Sequence, residues 1–172
     1  VSVEGQPSNF IRKEQIVVIP LARPLSPTDS LKVGINYAGK INESFCYLDI
    51  DNEKQHEKFG DFVINVDKRY AFITPEYVLL TPEDNWYPRT GVTFSSKTFG
   101  WNRSYFTNFS LQVKTSSGLQ AVSQGNISRT SPGEYIFTNE HPLTQVSLAI
   151  GKYALKKTES KGIEFGIWYL EG

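Results

Sequence analysis

The chain has 172 residues, 18 Lys and Arg against 18 Asp and Glu, and a hydrophobic fraction of 39%. This size predicts a single domain over residues 1–172, and the composition excludes a disordered protein. Zero net charge without a long basic run disfavours a nucleic-acid partner. No apolar stretch approaches the roughly 18 residues of a spanning helix, so we expect no membrane insertion by this segment.

Short alternating stretches of β-branched and aromatic residues predict strands along most of the chain, because turn-forming residues interrupt them every few residues. The predicted strands lie, in chain order, at 10–19, 31–37, 44–50, 62–66, 69–74, 77–81, 105–113, 119–123, 135–138, 144–150, 152–157 and 162–170. Residues 51–59 are predicted to form a loop with one helical turn. We therefore expect an all-β protein, an antiparallel β-sandwich of about ten to twelve short strands.

Alternation also predicts which side chains share a face of each strand. In the last strand, Ile163, Phe165, Ile167 and Tyr169 fall on one face, which we expect to be buried. The same reasoning applies to the apolar faces of 31–37, 105–113 and 144–150.

The interval 82–101 breaks the rhythm of strands and carries an unusual number of aromatic residues for a connection. Glu83 and Asp84 closely precede Trp86 and Tyr87. One interpretation is a turn in which Asp84 accepts hydrogen bonds from backbone N–H groups. The other is a binding surface for a sugar or a peptide, since such surfaces combine carboxylates with exposed aromatic residues.

The sequence contains no recognisable catalytic constellation. His56 and His141 are far apart in sequence and have no ligand-spaced neighbours, and the lone Cys46 between Phe45 and Tyr47 is typical of a buried, inert thiol. The acidic pair Asp49 and Asp51 is typical of a strand end. We therefore expect no catalytic residue and no metal or other cofactor in this segment.

The sequence lacks Met, including at position 1, which indicates either a processed mature protein or a segment of a longer one, and we favour the segment. Its four N-x-S sequons are explained by turn chemistry as well as by glycosylation. They lie at Asn42, Asn102, Asn108 and Asn126.

Five motifs in a fixed order resemble the N-terminal β-domain of the aminopeptidase N family of zinc metallopeptidases. They are LKVGINYAGKI at 31–41, NWYP at 85–88, FSLQV at 109–113, AVSQG at 121–125, and the stretch from HPL to GKY at 141–153. The resemblance covers about residues 28–170, so it implies a family-like core over 28–172 preceded by a lead-in strand within 1–27. It also implies a zinc-binding catalytic domain downstream, in the longer protein.

More narrowly, CYLDI at 46–50 and LLTP at 79–82 resemble the form of this domain that is fused to bacterial ABC-type transporter permeases. That resemblance implies an extracytoplasmic location, on the periplasmic side of a bacterial inner membrane.

In the family, a Gln-x-Glu pair before the aromatic–Pro loop holds the amino terminus of the peptide. The matching positions here are Leu79 and Thr81, and neither side chain can bind an ammonium as a carboxylate does. Glu83 and Asp84 are the carboxylates close enough to substitute. The residues predicted to line the cleft or the domain interface are Leu79, Thr81, Glu83, Asp84, Trp86, Tyr87 and Trp101.

The resemblance implies a non-catalytic accessory domain that packs on its own downstream catalytic domain and lines the cleft in which a peptide binds. Its departure from the Gln-x-Glu pattern leaves the peptidase activity of the longer protein open. The alternative is a self-contained extracellular binding or adhesion module for a glycan or a peptide. An independent enzyme ranks third.

Overall fold

The structure, a computed structural model, describes residues 1–41, 71–91, 106–116 and 118–170. These residues belong to two compact units, one comprising 1–41 and 87–91 and the other 71–86, 106–116 and 118–170. The single domain over 1–172, with a lead-in over 1–27 and a core over 28–172, stays a prediction. The predictions for 44–50, 51–59, 62–66, Cys46, His56 and Trp101 lie outside the described residues.

The first unit contains five short strands. They are β1 (Ser2–Val3), β2 (Gln6–Pro7), β3 (Ile11–Lys13), β4 (Ile16–Val18) and β5 (Val33–Gly34), with β2-β1-β5 in one sheet and β3-β4 in a separate hairpin. The single strand predicted over 10–19 is therefore wrong, because the chain reverses at Glu14, whose φ is 50°. No Gly, Pro or Asn marks this turn in the sequence, so the usual turn signals could not reveal it.

A four-stranded antiparallel sheet forms half of the second unit. Its order is β6 (Ala71–Ile73), β7 (Tyr77–Leu80), β12 (Leu148–Gly151) and β9 (Gln120–Ser123). Ala71 lies opposite Leu80, and Leu80 lies opposite Leu148. These three side chains and Ala121 are buried. Since directly paired residues share a face, one face of this sheet supplies half of the core.

A three-stranded antiparallel sheet supplies the other half. Its order is β10 (Asn126–Ser131), β11 (Glu134–Thr138) and β8 (Ser110–Lys114). Tyr135 lies opposite Val113, and both are buried together with Phe137. The alternate residues of β8, such as Gln112, are exposed. The sequence did not predict β10, because its largely polar residues are exposed along its whole length and it forms by pairing with β11.

Polar contacts join the two sheets beside the core. The Tyr135 hydroxyl donates to the carbonyl oxygen of Leu119 at 2.7 Å, and Arg129 donates to Oε1 of Gln120 at 2.7 Å. The Arg129 guanidinium also lies 5.3 Å from the centre of the Tyr135 ring. Two antiparallel sheets with facing apolar sides form a sandwich-like arrangement, which confirms the predicted all-β class.

The described residues hold 14 strands, more than the ten to twelve predicted, and no α-helix. They also contain no helix long and apolar enough to span a membrane. The surplus strands are the extra arm of the β3-β4 hairpin, the unpredicted β10, and the two-residue strands β1 and β2.

A long hairpin ends the described part of the chain, with β13 (Tyr153–Ser160) paired to β14 (Ile163–Leu170). Lys161 and Gly162 make the turn with φ values of 51° and 77°, as a type I′ turn requires. Both strands were predicted, but the expected burial of the β14 apolar face is wrong. Ile163, Phe165, Ile167 and Tyr169 remain 60%, 50%, 67% and 45% exposed, because the hairpin is a two-stranded sheet among the described residues.

Candidate functional site

The candidate site begins where the chain leaves β7. Leu80, 7% exposed, anchors the end of the strand in the core. Thr81 is extended, with φ −97° and ψ 162°, and a short 3₁₀ helix follows at Pro82–Asp84. Proline suits the first position of such a turn because its ring fixes φ and it has no N–H to leave unbonded.

Asn85 ends the 3₁₀ helix by adopting the left-handed conformation, with φ 52° and ψ 40°. Its backbone N–H donates to the Pro82 carbonyl at 3.4 Å, and its side-chain Nδ2 donates to the Glu83 carbonyl at 3.2 Å. Asparagine tolerates this conformation better than most residues, since its short polar side chain can bond to the nearby backbone. The direction in which the chain continues to Trp86 is thus set locally.

Asp84 fixes the start of the aromatic segment. Its Oδ1 accepts a hydrogen bond from the backbone N–H of Trp86 at 2.9 Å, the arrangement of an Asx turn. This contact confirms the interpretation of Asp84 as a residue that accepts backbone N–H groups in a turn. The carboxylate therefore contributes to the shape of the segment.

The environment of Asp84 also changes its acidity. Its Oδ2 is buried and has no hydrogen-bond partner among the described residues. Burial is the main cause that raises the pKa of the Asp84 carboxyl to about 6, and the nearby charge of Glu83 adds to it. Hydrogen bonds from the backbone of Trp86 and Thr81 act in the opposite direction by stabilising the ionised form.

Glu83 differs from Asp84 in what its carboxylate contacts. Both residues are half-buried, but no described residue donates a hydrogen bond to the Glu83 carboxylate. Asp84 has one oxygen bonded to the backbone and the other buried. Of the two acids, Glu83 is therefore the one available to accept a charge-assisted hydrogen bond from a ligand.

The structure brings five of the seven predicted site residues into one continuous corner: Leu79, Thr81, Glu83, Asp84 and Trp86. Leu79 is half-buried and lies opposite Phe72 and Ala149, on the sheet face away from the core. Tyr87 belongs to the other compact unit, and Trp101 lies outside the described residues. The role of all seven in a cleft or an interface stays a prediction.

A second polar cluster, centred on Asn139, was not predicted. Asn139 Oδ1 accepts from the Phe109 backbone N–H at 2.6 Å, and its Nδ2 donates to the carbonyl of His141 at 2.6 Å. The nearby Asn126 donates from Nδ2 to Glu140 at 2.7 Å. These bonds join loop ends to strand ends, so the cluster is structural. Only the turn-like composition of 139–142 signals it in the sequence.

The part of the chain that the structure describes contains no group of three or more His, Cys, Asp or Glu residues placed to hold a metal ion.

Comparison with protein-family models, curated proteins and solved structures gives no significant match.

Proposed function

We propose that this chain is the non-catalytic β-domain of an aminopeptidase N-like protein. In this proposal it packs on a zinc peptidase domain of a longer protein, and the segment 79–86 lines part of the cleft in which a peptide binds. Zinc and the hydrolytic chemistry belong to that other domain.

The positions of the motifs in the fold support the proposal. The motif at 109–113 covers most of β8 and supplies buried Val113, and the motif at 121–125 covers most of β9 and supplies buried Ala121. The stretch 141–153 contains β12, with buried Leu148. Three of the five motifs thus contribute core residues to two antiparallel sheets, whereas the motif at 31–41 lies in the other unit with Val33 exposed.

The observation that carries the proposal is the corner after β7. A buried Leu80, a 3₁₀ helix and the Asp84 hydrogen bond define the backbone on which Glu83 lies, three residues before Trp86. A carboxylate that no described side chain engages can bind the ammonium of a peptide amino terminus. Tryptophan is an effective anchor at protein interfaces. The corner therefore offers both a ligand contact and a domain contact.

The finer proposal follows from the narrower resemblance at 46–50 and 79–82. In it, the longer protein is fused to an ABC-type transporter permease, and this domain lies on the periplasmic side of a bacterial inner membrane. Protection of the domain from protease in intact spheroplasts would contradict this location.

The first experiment compares this chain with the longer protein that its gene encodes. We expect zinc and turnover of aminoacyl fluorogenic substrates only in the longer protein. Activity in the chain alone would overturn the proposal. Absence of zinc and activity from both would favour a degenerate peptidase or the self-contained binding module.

The second experiment tests the corner in the longer protein. We expect Glu83→Gln to raise KM for peptides with a free amino terminus about tenfold, the effect of roughly 1.4 kcal/mol of lost binding. The matched control is Glu76→Gln, since Glu76 is exposed in the turn before β7. Equal effects of the two substitutions would show that Glu83 has no specific contact with the peptide.

The alternative module predicts a different result with the chain alone. A self-contained domain would bind a glycan or a peptide at the same corner, and Trp86→Ala would abolish that binding. Phe106→Ala is the control, because Phe106 is 73% exposed and lies outside the segment. Loss of binding with Trp86→Ala alone would favour this alternative over the accessory domain.

A further inference from the structure

The β13-β14 hairpin presents two different rows of side chains on one face. The apolar row is on β14 and consists of Ile163, Phe165, Ile167 and Tyr169. The register places Ser160, Thr158, Lys156 and Ala154 opposite these residues on β13. The face therefore has a ridge of large apolar side chains beside a row dominated by small ones.

The ridge is a contiguous apolar surface. Its residues are 45% to 67% exposed, and residues of this size present roughly 200 Å² each when fully exposed. The exposed area of the ridge is then on the order of 400 Å². The largest apolar patch on a soluble monomer is typically of about this size and is often functional.

From these two rows we propose that the hairpin face binds a second copy of this chain, face to face. A two-fold axis parallel to the strands places β14 of each copy over β13 of the other. Phe165 and Tyr169 of one copy then lie over the small side chains Thr158 and Ala154 of its partner, and Ile167 lies over Lys156. Large residues facing small ones allow stacked sheets to interdigitate.

The charges on the hairpin fit this arrangement. Glu164 is paired with Lys157 at 2.7 Å on the opposite face, so no carboxylate lies among the paired residues of the proposed interface. Lys156 is the single charge there, and its long stem can lie along the ridge while the ammonium reaches solvent. The chain has no net charge, so two copies do not repel each other over long distances.

The buried area indicates a weak dimer. The two ridges together present on the order of 800 Å² and the facing rows add to it, which is the size of a weak, transient interface. We therefore expect a reversible dimer that is independent of the proposed peptidase partner.

Sedimentation velocity of the 172-residue chain over about 1–200 μM tests the proposal. We expect a monomer–dimer equilibrium, with Kd raised at least about tenfold by Ile167→Lys, which introduces a charge into the ridge. Thr158→Arg, which fills the small row, should have a comparable effect. The matched control is Ile127→Lys, because Ile127 is also an exposed strand isoleucine, 46% exposed in β10; it should leave Kd unchanged.

Thermal unfolding of each variant checks that these exposed substitutions leave the fold intact. A monomer at every concentration would overturn the proposal and show that something other than a second copy covers the ridge. A dimer that survives Ile167→Lys, or is lost equally with Ile127→Lys, would also overturn it. Indifference to Thr158→Arg would exclude the packing of large on small rows.

Discussion

Strands β11 and β14 carry similar alternating patterns of aromatic and aliphatic residues but have opposite environments. In β11, Tyr135 and Phe137 are each 3% exposed. In β14, Phe165 and Ile167 are 50% and 67% exposed. Alternation therefore determines which side chains share a face, whereas burial depends on what the rest of the chain places against that face.

The two strands differ in burial because they occupy different positions in their sheets. β11 lies between β10 and β8, and Tyr135 on its buried face donates a hydrogen bond to the Leu119 carbonyl next to β9 of the second sheet. β14 has one described neighbour, β13, in a two-stranded sheet. A two-stranded ribbon has no second layer of its own and is only marginally stable in isolation.

Truncation of one phenylalanine in each strand gives the largest expected difference. Phe137→Ala should destabilise the chain by about 4 kcal/mol, because it removes a buried ring and leaves a cavity. Phe165→Ala should change stability by less than about 1 kcal/mol, because half of the ring is already in water. Urea unfolding measured at low protein concentration checks both values. Equal losses would mean that Phe165 is as well packed as Phe137.

The two turns beside these strands give the next largest contrast. Gly125→Ala should destabilise by about 2 kcal/mol, because a Cβ would collide with the backbone carbonyl of Thr138 and Gly125 has a φ of 92°. Gly162→Ala, at φ 77° but in open space, should cause only about 1 kcal/mol of conformational strain. Thermal unfolding of the two variants should preserve this order. A larger loss at Gly162 would reveal packing around the hairpin turn.

The sequence was sufficient to predict the fold class and most strands of the second unit. The turn glycines at 125 and 133 adopt positive φ, which glycine accepts without steric cost. The sequence failed where local signals are absent. The turn at Glu14 has no characteristic residue, and β10 has no apolar face, so pairing with neighbouring strands determines both structures.

The candidate site was predictable only in part. The Asx turn at Asp84 follows from local sequence, since the acceptor and the Trp86 N–H are two residues apart. The burial of Oδ2 and the resulting pKa depend on how the corner packs, which no local pattern encodes. The sequence likewise does not show that Glu83, of the two acids, can accept a hydrogen bond from a ligand. That follows only from the hydrogen-bond partners of both carboxylates in the structure.

A smaller effect is expected from removing the hydrogen bond that the buried Tyr135 of β11 makes. Tyr135→Phe should destabilise by about 1 kcal/mol, because the hydroxyl donates to the Leu119 carbonyl at 2.7 Å. Tyr169→Phe is the matched change in the exposed ridge, and we expect almost no effect on monomer stability. Denaturant unfolding at low protein concentration separates the two. Equal losses would indicate that the Tyr169 hydroxyl has an equivalent bond.

Asp84 is half-buried, between the buried residues of β11 and the exposed residues of β14. Its ordinary pKa of 3.8 rises to about 6 in the folded chain, so the folded state binds its proton more tightly than the unfolded state. The stability gained from that proton is fully present below about pH 3.8 and is lost as pH rises through about 6. Asp84→Asn, which stays neutral, should therefore become more stable relative to the parent chain between about pH 4.5 and 7.5.

Asp29→Asn is the control with the opposite sign. Hydrogen bonds from the Ser26 backbone and from Arg23 lower the pKa of Asp29, so the stability it contributes is present above the ordinary value and is lost as pH falls below it. Asp29→Asn should therefore become less stable relative to the parent chain as pH rises. Urea unfolding at about pH 2.5, 4.5, 6 and 7.5 measures both differences, because the Asp29 difference changes below pH 3.8 and the Asp84 difference changes above it. A pH-independent effect of Asp84→Asn would mean that the Asp84 carboxyl is hydrated in solution, and the corner would then lack the buried acid that helps to fix it.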